Sequence, residues 1–256
     1  MQKPVRTPLA LSAIAFAAAL LFSQGASAVE KLKMGMEAGH PPFNGKDASG
    51  QVVGFDVDIG NALCAKMKVE CEIVTDDWDT LIPSLNNNQF NFLVSSLPIS
   101  AERLQVVDFT NPYYSDKLQL VAAKDTNLST DIPSLSGKIV GAQRGTAAGK
   151  WLQDNLTDQS AVMLFDTQED AYKQLVSGGL DAVLTDKYVN YEWLKSDAGK
   201  NFETKGDAVG DGDKIGIAVR KGDPLRDKLN AALHELIVDG TYKKINDRYF
   251  PFNILQ

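Results

Sequence analysis

Short apolar runs alternate with amphipathic segments along most of this chain, a pattern typical of strands that alternate with helices. The first half predicts strands at residues 32–36, 71–75 and 92–94. Between them it predicts a helix from about 54 to 68, with Asp56 as the N-cap, and a short helix at 81–87. This order predicts a mostly parallel sheet with helices on both faces.

The pattern then restarts in the second half of the chain. Five further strands are expected, at residues 118–123, 139–142, 162–165, 181–185 and 215–219. The expected helices run from 146 to about 155, over 168–177, 187–195 and 224–238, and from 241 to about 249, with Pro224 suited to a first turn. A Gly- and Asp-rich passage, 206–213, precedes the last strand. Two α/β units with a second sheet inserted between them predict two lobes and a cleft.

The first 28 residues have the features of a secretory signal peptide. Lys3 and Arg6 form a basic start, residues 9–22 form an apolar core, and Ala26-Ser27-Ala28 is a small-x-small site. A membrane anchor is the weaker alternative, because the apolar run is shorter than the roughly 20 residues that a span requires. We therefore expect cleavage after Ala28 and a periplasmic protein, without a lipid anchor because no cysteine follows the site.

Net charge and cysteine content limit the classes of partner and site that the chain can have. The formal charge of −7 becomes −9 once Lys3 and Arg6 are removed, which argues against a nucleic-acid partner. Cys64 and Cys71 are most simply a disulfide in an oxidising compartment. Their spacing is not that of a redox pair, and the two histidines of the chain, His40 and His234, cannot complete a zinc site with them. No metal or cofactor is expected.

Polar side chains follow several predicted strands. In open α/β sheets, ligands bind at the carboxyl ends of strands, so these residues are candidates for one shared site. Ser95 and Ser96 are followed in sequence by Arg103, whose planar guanidinium matches a carboxylate. Together they predict a pocket for a small zwitterion. The strand-end candidates are Glu37, Trp78, Ser95, Ser96, the run from Gln143 to Thr146, and Asp186.

The order and spacing of several motifs give the chain a family resemblance that covers nearly all of it after residue 28. It resembles the periplasmic polar amino acid-binding proteins of ABC importers, in the lysine/arginine/ornithine- and histidine-binding branch. The motifs that carry the resemblance are Pro42-Phe43, Gly54-Phe55-Asp56-Val57-Asp58, Leu63-Cys64 with Cys71, Leu81-Ile82-Pro83-Ser84-Leu85, Ser95-Ser96 with Arg103, Val107-Asp108-Phe109-Thr110, Gly141 with Arg144-Gly145-Thr146, and Asp239-Gly240-Thr241-Tyr242.

The resemblance implies the α/β, two-lobe, type II periplasmic binding protein fold, which closes on its ligand. One lobe would comprise residues 29–114 and 215–256, and the other 117–211. The segments near 115–117 and 212–214 would form the hinge. The family also implies a monomer that serves a membrane ABC permease, with a chemoreceptor as a further potential partner.

Residue roles follow from the same resemblance. Arg103 would bind the ligand α-carboxylate, helped by Thr146 and by backbone N–H groups near Ala147 at a helix start. Asp186 would bind the ligand ammonium, and it can also cap the helix that begins at Lys187. For Arg103 the alternative is a surface salt bridge.

The remaining roles concern the ligand's side chain and its backbone contacts. Ser96 would offer its carbonyl to the ammonium, and Ser95 its hydroxyl to the ligand. Trp78 would stack on the ligand side chain, with a core tryptophan as the alternative. Glu37 would bind a side-chain cation, with a solvated surface charge as the alternative.

Two positions depart from the family pattern. His40 stands where a tyrosine usually packs over the ligand. Imidazole is smaller and titrates near neutral pH, so affinity would depend on pH or the pocket would take a different side chain. The alternative is a histidine held only by the Pro-rich loop. Pro98 stands where the family has Ser or Thr, whose hydroxyl accepts from the α-ammonium, and proline lacks that acceptor. The expected function is capture of a basic amino acid without catalysis. The alternatives are capture of an ω-amino acid or amine such as γ-aminobutyrate, or a dehydratase-like enzyme with Glu37 or His40 as acid or base.

Overall fold

The computed structural model describes residues 1–2, 29–156 and 160–255, so the predicted signal peptide beyond its first two residues, with the cleavage site, lies outside the described residues. The strands are β1 (Lys31–Met36), β2 (Gly45–Lys46), β3 (Val52–Val53), β4 (Glu70–Thr75), β5 (Phe92–Leu93), β6 (Val107–Phe109), β7 (Tyr114–Ala123), β8 (Ile139–Gln143), β9 (Ala161–Phe165), β10 (Ala182–Asp186), β11 (Phe202–Ile215) and β12 (Ala218–Arg220). The helices are α1 (Phe55–Met67), α2 (Leu81–Asn86), α3 (Ile132–Leu135), α4 (Ala147–Leu156), α5 (Gln168–Ser177), α6 (Lys187–Trp193), α7 (Leu225–Val238) and α8 (Thr241–Tyr249).

Two five-stranded sheets, each flanked by helices, give the molecule its two-lobe α/β architecture. The first sheet has the strand order β4-β1-β5-β12-β6, and the second has the order β11-β7-β10-β8-β9. The strand β1 runs parallel to β4 and β5, and β8 runs parallel to β9 and β10. The other neighbouring pairs run antiparallel, so each sheet is mixed and the expectation of mostly parallel sheets is wrong.

Two of the four antiparallel pairs in these sheets arise where the chain passes between the sheets. It leaves the first sheet through β6 and β7 and returns through β11 and β12. The returning strands pair with the outgoing ones, with Ala218 opposite Phe109 and Ile215 opposite Tyr114. A segment that returns beside the one that left must run in the opposite direction, which apolar periodicity alone does not reveal.

The Gly- and Asp-rich passage at 206–213 lies inside the long strand β11. Pairing with β7 continues through it, with register shifts between Lys205 and Val209 and between Val209 and Asp213. Gly206, Gly210 and Gly212 have positive φ angles there. Glycine-rich irregularities of this kind let a strand continue past unpaired residues. The strand predicted at 215–219 is accordingly divided between the end of β11 and the start of β12.

The start of α1 differs from its prediction. Gly54 is the N-cap, with φ of 135°, and a Cβ at this position would lie 2.2 Å from the Phe43 carbonyl oxygen. Asp56 is therefore the second residue of the helix, and its side chain is buried within the lobe. The prediction that Asp56 is the N-cap is wrong because the close approach of the Phe43 loop requires a residue without a side chain before the helix.

The predicted disulfide is confirmed. Cys64 in α1 and Cys71 in β4 are bonded, with their Cα atoms 6.1 Å apart. Buried aromatic side chains fill the interior of the first lobe beside this corner; they include Phe43, Phe55, Tyr113, Tyr114 and Phe250. None of the helices in the described part of the chain combines the length and apolarity needed to cross a bilayer.

Candidate functional site

Most of the sequence-predicted site residues lie at carboxyl ends of strands, where the two sheets face each other. Glu37 follows β1 in the first sheet, and Ser95 and Ser96 come soon after β5. Gln143 and Asp186 are the last residues of β8 and β10 in the second sheet. Parallel strands place their carboxyl ends at one edge of a sheet. The two edges meet, and three polar contacts join them.

The first contact joins Glu37 to Gln143. The Gln143 Nε2 donates to Glu37 Oε1 at 2.6 Å and to the Asp166 carbonyl at 3.1 Å. Both partners are acceptors, which fixes the orientation of the amide group. Glu37 Oε2 and Gln143 Oε1 are buried and have no hydrogen-bond partner among the described residues. Burial raises the pKa of Glu37, although His40 and the bond from Gln143 oppose the rise.

The second contact joins His40 to Asp186. The His40 Nε2 lies 2.8 Å from Asp186 Oδ2, and the two side chains are only 9% and 19% exposed. An ionised carboxylate only accepts hydrogen bonds, so the imidazole N–H donates. Burial lowers the pKa of His40, but the bond and charge of Asp186, together with Glu37 and Asp56, raise it above the ordinary value. Asp186 precedes α6 without capping it through its side chain.

The third contact involves Arg103 in the short 3-10 turn Arg103–Gln105. Its Nη1 donates to the Pro98 carbonyl at 2.9 Å, and its Nη2 donates to the Gly145 carbonyl of the opposite lobe at 3.2 Å. The Cζ atom lies 5.3 Å from the centroid of the Trp78 ring. Burial lowers the pKa of Arg103 to about 10, so the group remains a cation at neutral pH.

Gly145 allows the two lobes to approach each other at this point. Its φ of 68° lies in the left-handed region, and a Cβ on it would lie 2.8 Å from Asp79 Oδ1 and 3.2 Å from Trp78 Nε1. A larger residue would therefore hold Trp78 away from the second lobe. Gly145 lies within the run of strand-end candidates from Gln143 to Thr146, and its place in an Arg-Gly-Thr turn before a helix is the sequence signal for this close approach.

The hydroxyl groups near these contacts are engaged by the protein. Ser95 Oγ accepts from the Glu37 N–H at 3.0 Å, and Ser96 Oγ donates to Asp56 Oδ2 at 2.9 Å. Thr146 Oγ1 donates to the Gln143 carbonyl at 2.8 Å and accepts from the Gly149 N–H at 3.1 Å. Thr146 thus caps the helix α4, which begins at Ala147.

A buried hydrogen-bond network around Asp56 lies next to the site and was not predicted from the sequence. The Asp56 carboxylate accepts from Asn44 Nδ2 at 2.8 Å, from Ser96 Oγ and from the Tyr113 hydroxyl at 2.6 Å. Burial raises the pKa of Asp56, and the three donors counteract it. Because these donors come from distant segments, no local sequence pattern indicates the network.

An open cleft of about 1370 Å³ adjoins the contacts. Glu37 and Trp78 line it from the first lobe, and Tyr172 and Trp193, stacked at 4.1 Å between ring centroids, line it from the second. The carboxylate and aromatic groups that line the cleft, together with the Arg103 guanidinium at the neighbouring contact between the lobes, suit a small molecule with a cation at one end and an anion at the other. No group of three or more His, Cys, Asp or Glu side chains within 29–156 and 160–255 is arranged to hold a metal ion.

Comparison with known proteins gives a consistent family assignment. The sequence profile described as bacterial extracellular solute-binding proteins, family 3, matches residues 32–252. The L-arginine-binding protein of Pseudomonas aeruginosa is 42% identical over 236 residues, which are 89% of this chain and 91% of the relative. The lysine/arginine/ornithine-binding periplasmic protein of Escherichia coli is 37% identical over 239 residues, or 91% of this chain and 92% of the relative.

A solved structure extends the similarity to three dimensions. An ancestral arginine-binding protein bound to arginine superposes with a TM-score of 0.82 at 35% identity. The match covers 86% of this chain and 98% of that protein. At this level of identity and coverage, the similarity includes the whole two-lobe architecture.

Proposed function

This chain belongs to the bacterial extracellular solute-binding proteins, family 3, and we propose that it captures a basic amino acid between its lobes and delivers it to an ABC permease. The observation that carries the proposal is the set of three contacts between the lobes, Gln143 to Glu37, Asp186 to His40, and Arg103 to Gly145. They bring groups suited to an anion and to a cation into one interface. The relatives are named as binding proteins for arginine, or for lysine, arginine and ornithine, which favours a basic ligand.

Each end of the ligand has a suitable partner. Arg103 would bind the carboxylate, since its hydrogen bonds to two carbonyl oxygens leave its charge able to attract an anion. The N–H groups at Ala147, where α4 begins, would assist because a helix N-terminus favours negative charge. Glu37 would bind the side-chain cation, and Trp78 would stack on it.

The ammonium group and the serines complete the proposed site. Asp186 would attract the ligand ammonium, although His40 already contacts it. The carbonyl of Ser96 and the hydroxyl of Ser95 would contribute hydrogen bonds near Pro98.

The lobes would comprise residues 29–114 with 215–256, and 117–211, and they would rotate about 115–117 and 212–214. These two segments lie side by side, since Ser115 pairs with Lys214 and Asp116 with Asp213. Bending two adjacent strands can change the lobe angle without disturbing either interior. A ligand that contacts both lobes binds the closed form better and shifts the population toward it.

The proposal includes secretion with cleavage after Ala28, a monomeric state, and docking of the closed form on a permease or a chemoreceptor. N-terminal sequencing of the secreted protein tests the cleavage site, and light scattering tests the monomer. Binding is favoured over dehydratase-like catalysis because Glu37 and His40 are already hydrogen-bonded to Gln143 and Asp186. Turnover of a bound ligand, followed by NMR over hours, would support the enzyme alternative.

A thermal-shift screen of the secreted protein tests the function. The panel is all amino acids with γ-aminobutyrate, agmatine and putrescine, since a tight ligand raises the melting temperature by mass action. We expect the shift to be confined to basic amino acids and their close analogues. A shift with γ-aminobutyrate or putrescine alone would favour the ω-amino alternative, and no shift with any compound would contradict the proposal.

The variant Arg103→Ala then tests the site. It should weaken binding by about 3 kcal/mol or more, because the loss leaves a ligand carboxylate unpaired in a buried place. Arg144→Ala is the matched control, since Arg144 is an exposed arginine bonded to Asp166, close in sequence to the same turn. Equal affinities of the two variants by calorimetry would show that Arg103 is not in the site.

A further inference from the structure

We infer that the C-terminal segment, residues 250–255, is a strap that crosses the hinge and favours the closed arrangement of the two lobes. The inference rests on the proposed opening and closing of the lobes, and it adds a third connection beside the two hinge strands. In the proposed division of the chain, this C-terminal strap belongs to the first lobe and α6 belongs to the second. Contacts between the strap and α6 would therefore change when the lobes rotate.

Asn246 in α8 fixes the C-terminal strap to the first lobe. Its Nδ2 donates to the Phe252 carbonyl at 2.8 Å, and its Oδ1 accepts from the Ile254 N–H at 3.1 Å. Asn246 and Ile254 are both buried. A side-chain amide both donates and accepts, so it can hold the backbone groups of a segment that forms neither helix nor strand. We expect the strap to move with α8 and the rest of the first lobe.

The C-terminal strap also contacts one of the two hinge strands. The Ser115 N–H of β7 donates to the Ile254 carbonyl at 3.2 Å. Ser115 pairs with Lys214 of β11, so this bond is made at the point where both hinge segments lie side by side. The strap is thus bound at the hinge, and its aromatic residues reach the second lobe from there.

Two phenylalanines of the C-terminal strap pack on two tyrosines of α6. The ring centroid of Phe250 lies 5.5 Å from that of Tyr188, and the Phe252 centroid lies 5.4 Å from that of Tyr188 and 5.5 Å from that of Tyr191. These separations are typical of favourable aromatic pairs. Phe252 is 38% exposed, so its ring lies at the surface of the junction and α6 supplies part of its cover. Opening that separates α6 from the strap would expose apolar surface, which the hydrophobic effect opposes.

A buried apolar cluster continues across this junction. It includes Phe250 and Ile254 of the strap, and Tyr188 and Val189 of α6. Apolar surfaces that are buried against each other resist separation, at a cost that grows with the area exposed. On the hinge side, the lobes are therefore joined by apolar packing as well as by the two strands.

The helix α6 connects the strap to the candidate site. Asp186, which contacts His40, comes immediately before the first residue of α6. The Tyr188 N–H donates to Asp116 Oδ2 at 3.4 Å, beside the hinge. By holding the start of α6, the strap keeps Asp186 close to the first lobe, although no strap residue lines the cleft. Loss of the strap contacts should therefore weaken the binding of all ligands alike.

The variant Phe252→Ala of the secreted protein tests the strap. Loss of two ring contacts should weaken the binding of arginine and of lysine by the same factor, about fivefold, which is equivalent to about 1 kcal/mol. Small-angle X-ray scattering without ligand should show a larger radius of gyration than in the wild type. Unchanged affinity and radius with a lower melting temperature would make the strap a packing element only and overturn the inference. A loss of affinity confined to one ligand would also overturn it.

Tyr191→Ala removes the other side of the same contact. Calorimetry should show a similar loss of affinity. The double variant should lose less than the product of the two single losses, because both single variants break one shared contact. Losses that multiply fully would refute this contact as the cause.

Val238→Ala is the control, because Val238 is an exposed apolar residue of the same lobe, at the end of α7. This variant should bind arginine and scatter like the wild type, and a change equal to that of Phe252→Ala would overturn the inference. A wild type that binds no basic amino acid would contradict the proposed function instead, and the radii of the ligand-free proteins would still test the strap.

Discussion

Two carboxylates near the lobe interface, Asp56 and Asp186, have opposite kinds of partner. Asp56 receives hydrogen bonds from Asn44, Ser96 and Tyr113, and its strand and helix neighbours belong to the first sheet's lobe. Asp186 ends a strand of the second sheet and is bonded to His40, which follows the first strand of the first sheet. One carboxylate therefore holds a lobe together, and the other holds two lobes against each other.

The difference indicates which role each group can have. The donors of Asp56 are neutral, fully buried and fixed by the packing of one interior. Burial lowers the pKa of His40, the partner of Asp186, but the bond and charge of Asp186 raise it above the ordinary value, and the two residues lie at or just after the ends of strands in different sheets. We therefore expect Asp56, which is satisfied within its lobe, to affect stability, and Asp186, which is satisfied across the cleft, to affect the proposed opening and closing of the lobes.

The largest expected effect is on the stability of the first lobe. Asp56→Ala leaves three buried donors without an acceptor, at about 1–3 kcal/mol for each. The free energy of unfolding should fall by about 3 kcal/mol or more in urea titration. Asp186→Ala is the matched comparison and should unfold within about 1 kcal/mol of the wild type. Equal losses for both would contradict the distinction between the two carboxylates.

Like Asp56, the disulfide should affect the stability of the protein and leave ligand affinity nearly unchanged. Replacing Cys64 and Cys71 by serine should lower the free energy of unfolding by about 2–3 kcal/mol, since the bridge closes a short loop. Affinity should change little, because the bridge joins α1 to the start of β4, whereas the candidate ligand residues lie at the carboxyl ends of strands. A large loss of affinity without loss of stability would place this corner in the binding mechanism.

Trp78, like Asp186, lies at the interface between the lobes, and its replacement should affect ligand affinity more than stability. Trp78→Ala should weaken ligand binding by about 1 kcal/mol or more through lost stacking. Trp78→Phe keeps a ring and should recover most of that loss. If the alanine variant binds normally but melts at lower temperature, Trp78 is a packing residue of the cluster formed with Leu81 and Phe90.

The smallest effect concerns the closure of the lobes without ligand. Burial lowers the pKa of His40, but the bond and charge of Asp186 raise it above the ordinary value, so the charge of the imidazolium stabilises this contact fully below the ordinary pKa, and that contribution is lost as the pH rises through the raised pKa. The free energy that favours the closed form should therefore fall between pH 6 and pH 9, by about 1 kcal/mol or less. Small-angle X-ray scattering without ligand should show a growing radius of gyration, and His40→Gln should show no such trend.

The amino-acid sequence by itself determined most of the elements and the residue types available to the candidate site. Apolar periodicity located the helix at Gln168–Ser177 and the strands that end near Glu37 and Gln143, because side chains that face a core must repeat with the period of their element. Residue type also limited what each candidate can bind: Arg103 suits an anion, and Glu37 suits a cation.

Only the tertiary structure decided which of those groups are already paired. The bonds of His40 to Asp186, Glu37 to Gln143, and Ser96 to Asp56 join residues that are 146, 106 and 40 positions apart. The antiparallel pairing of β7 with β11 also joins segments that are far apart along the chain, and it keeps the glycine-rich passage in a strand. Local sequence patterns show which face of its own helix or strand a residue occupies. Its partner on another element depends on how the two lobes pack.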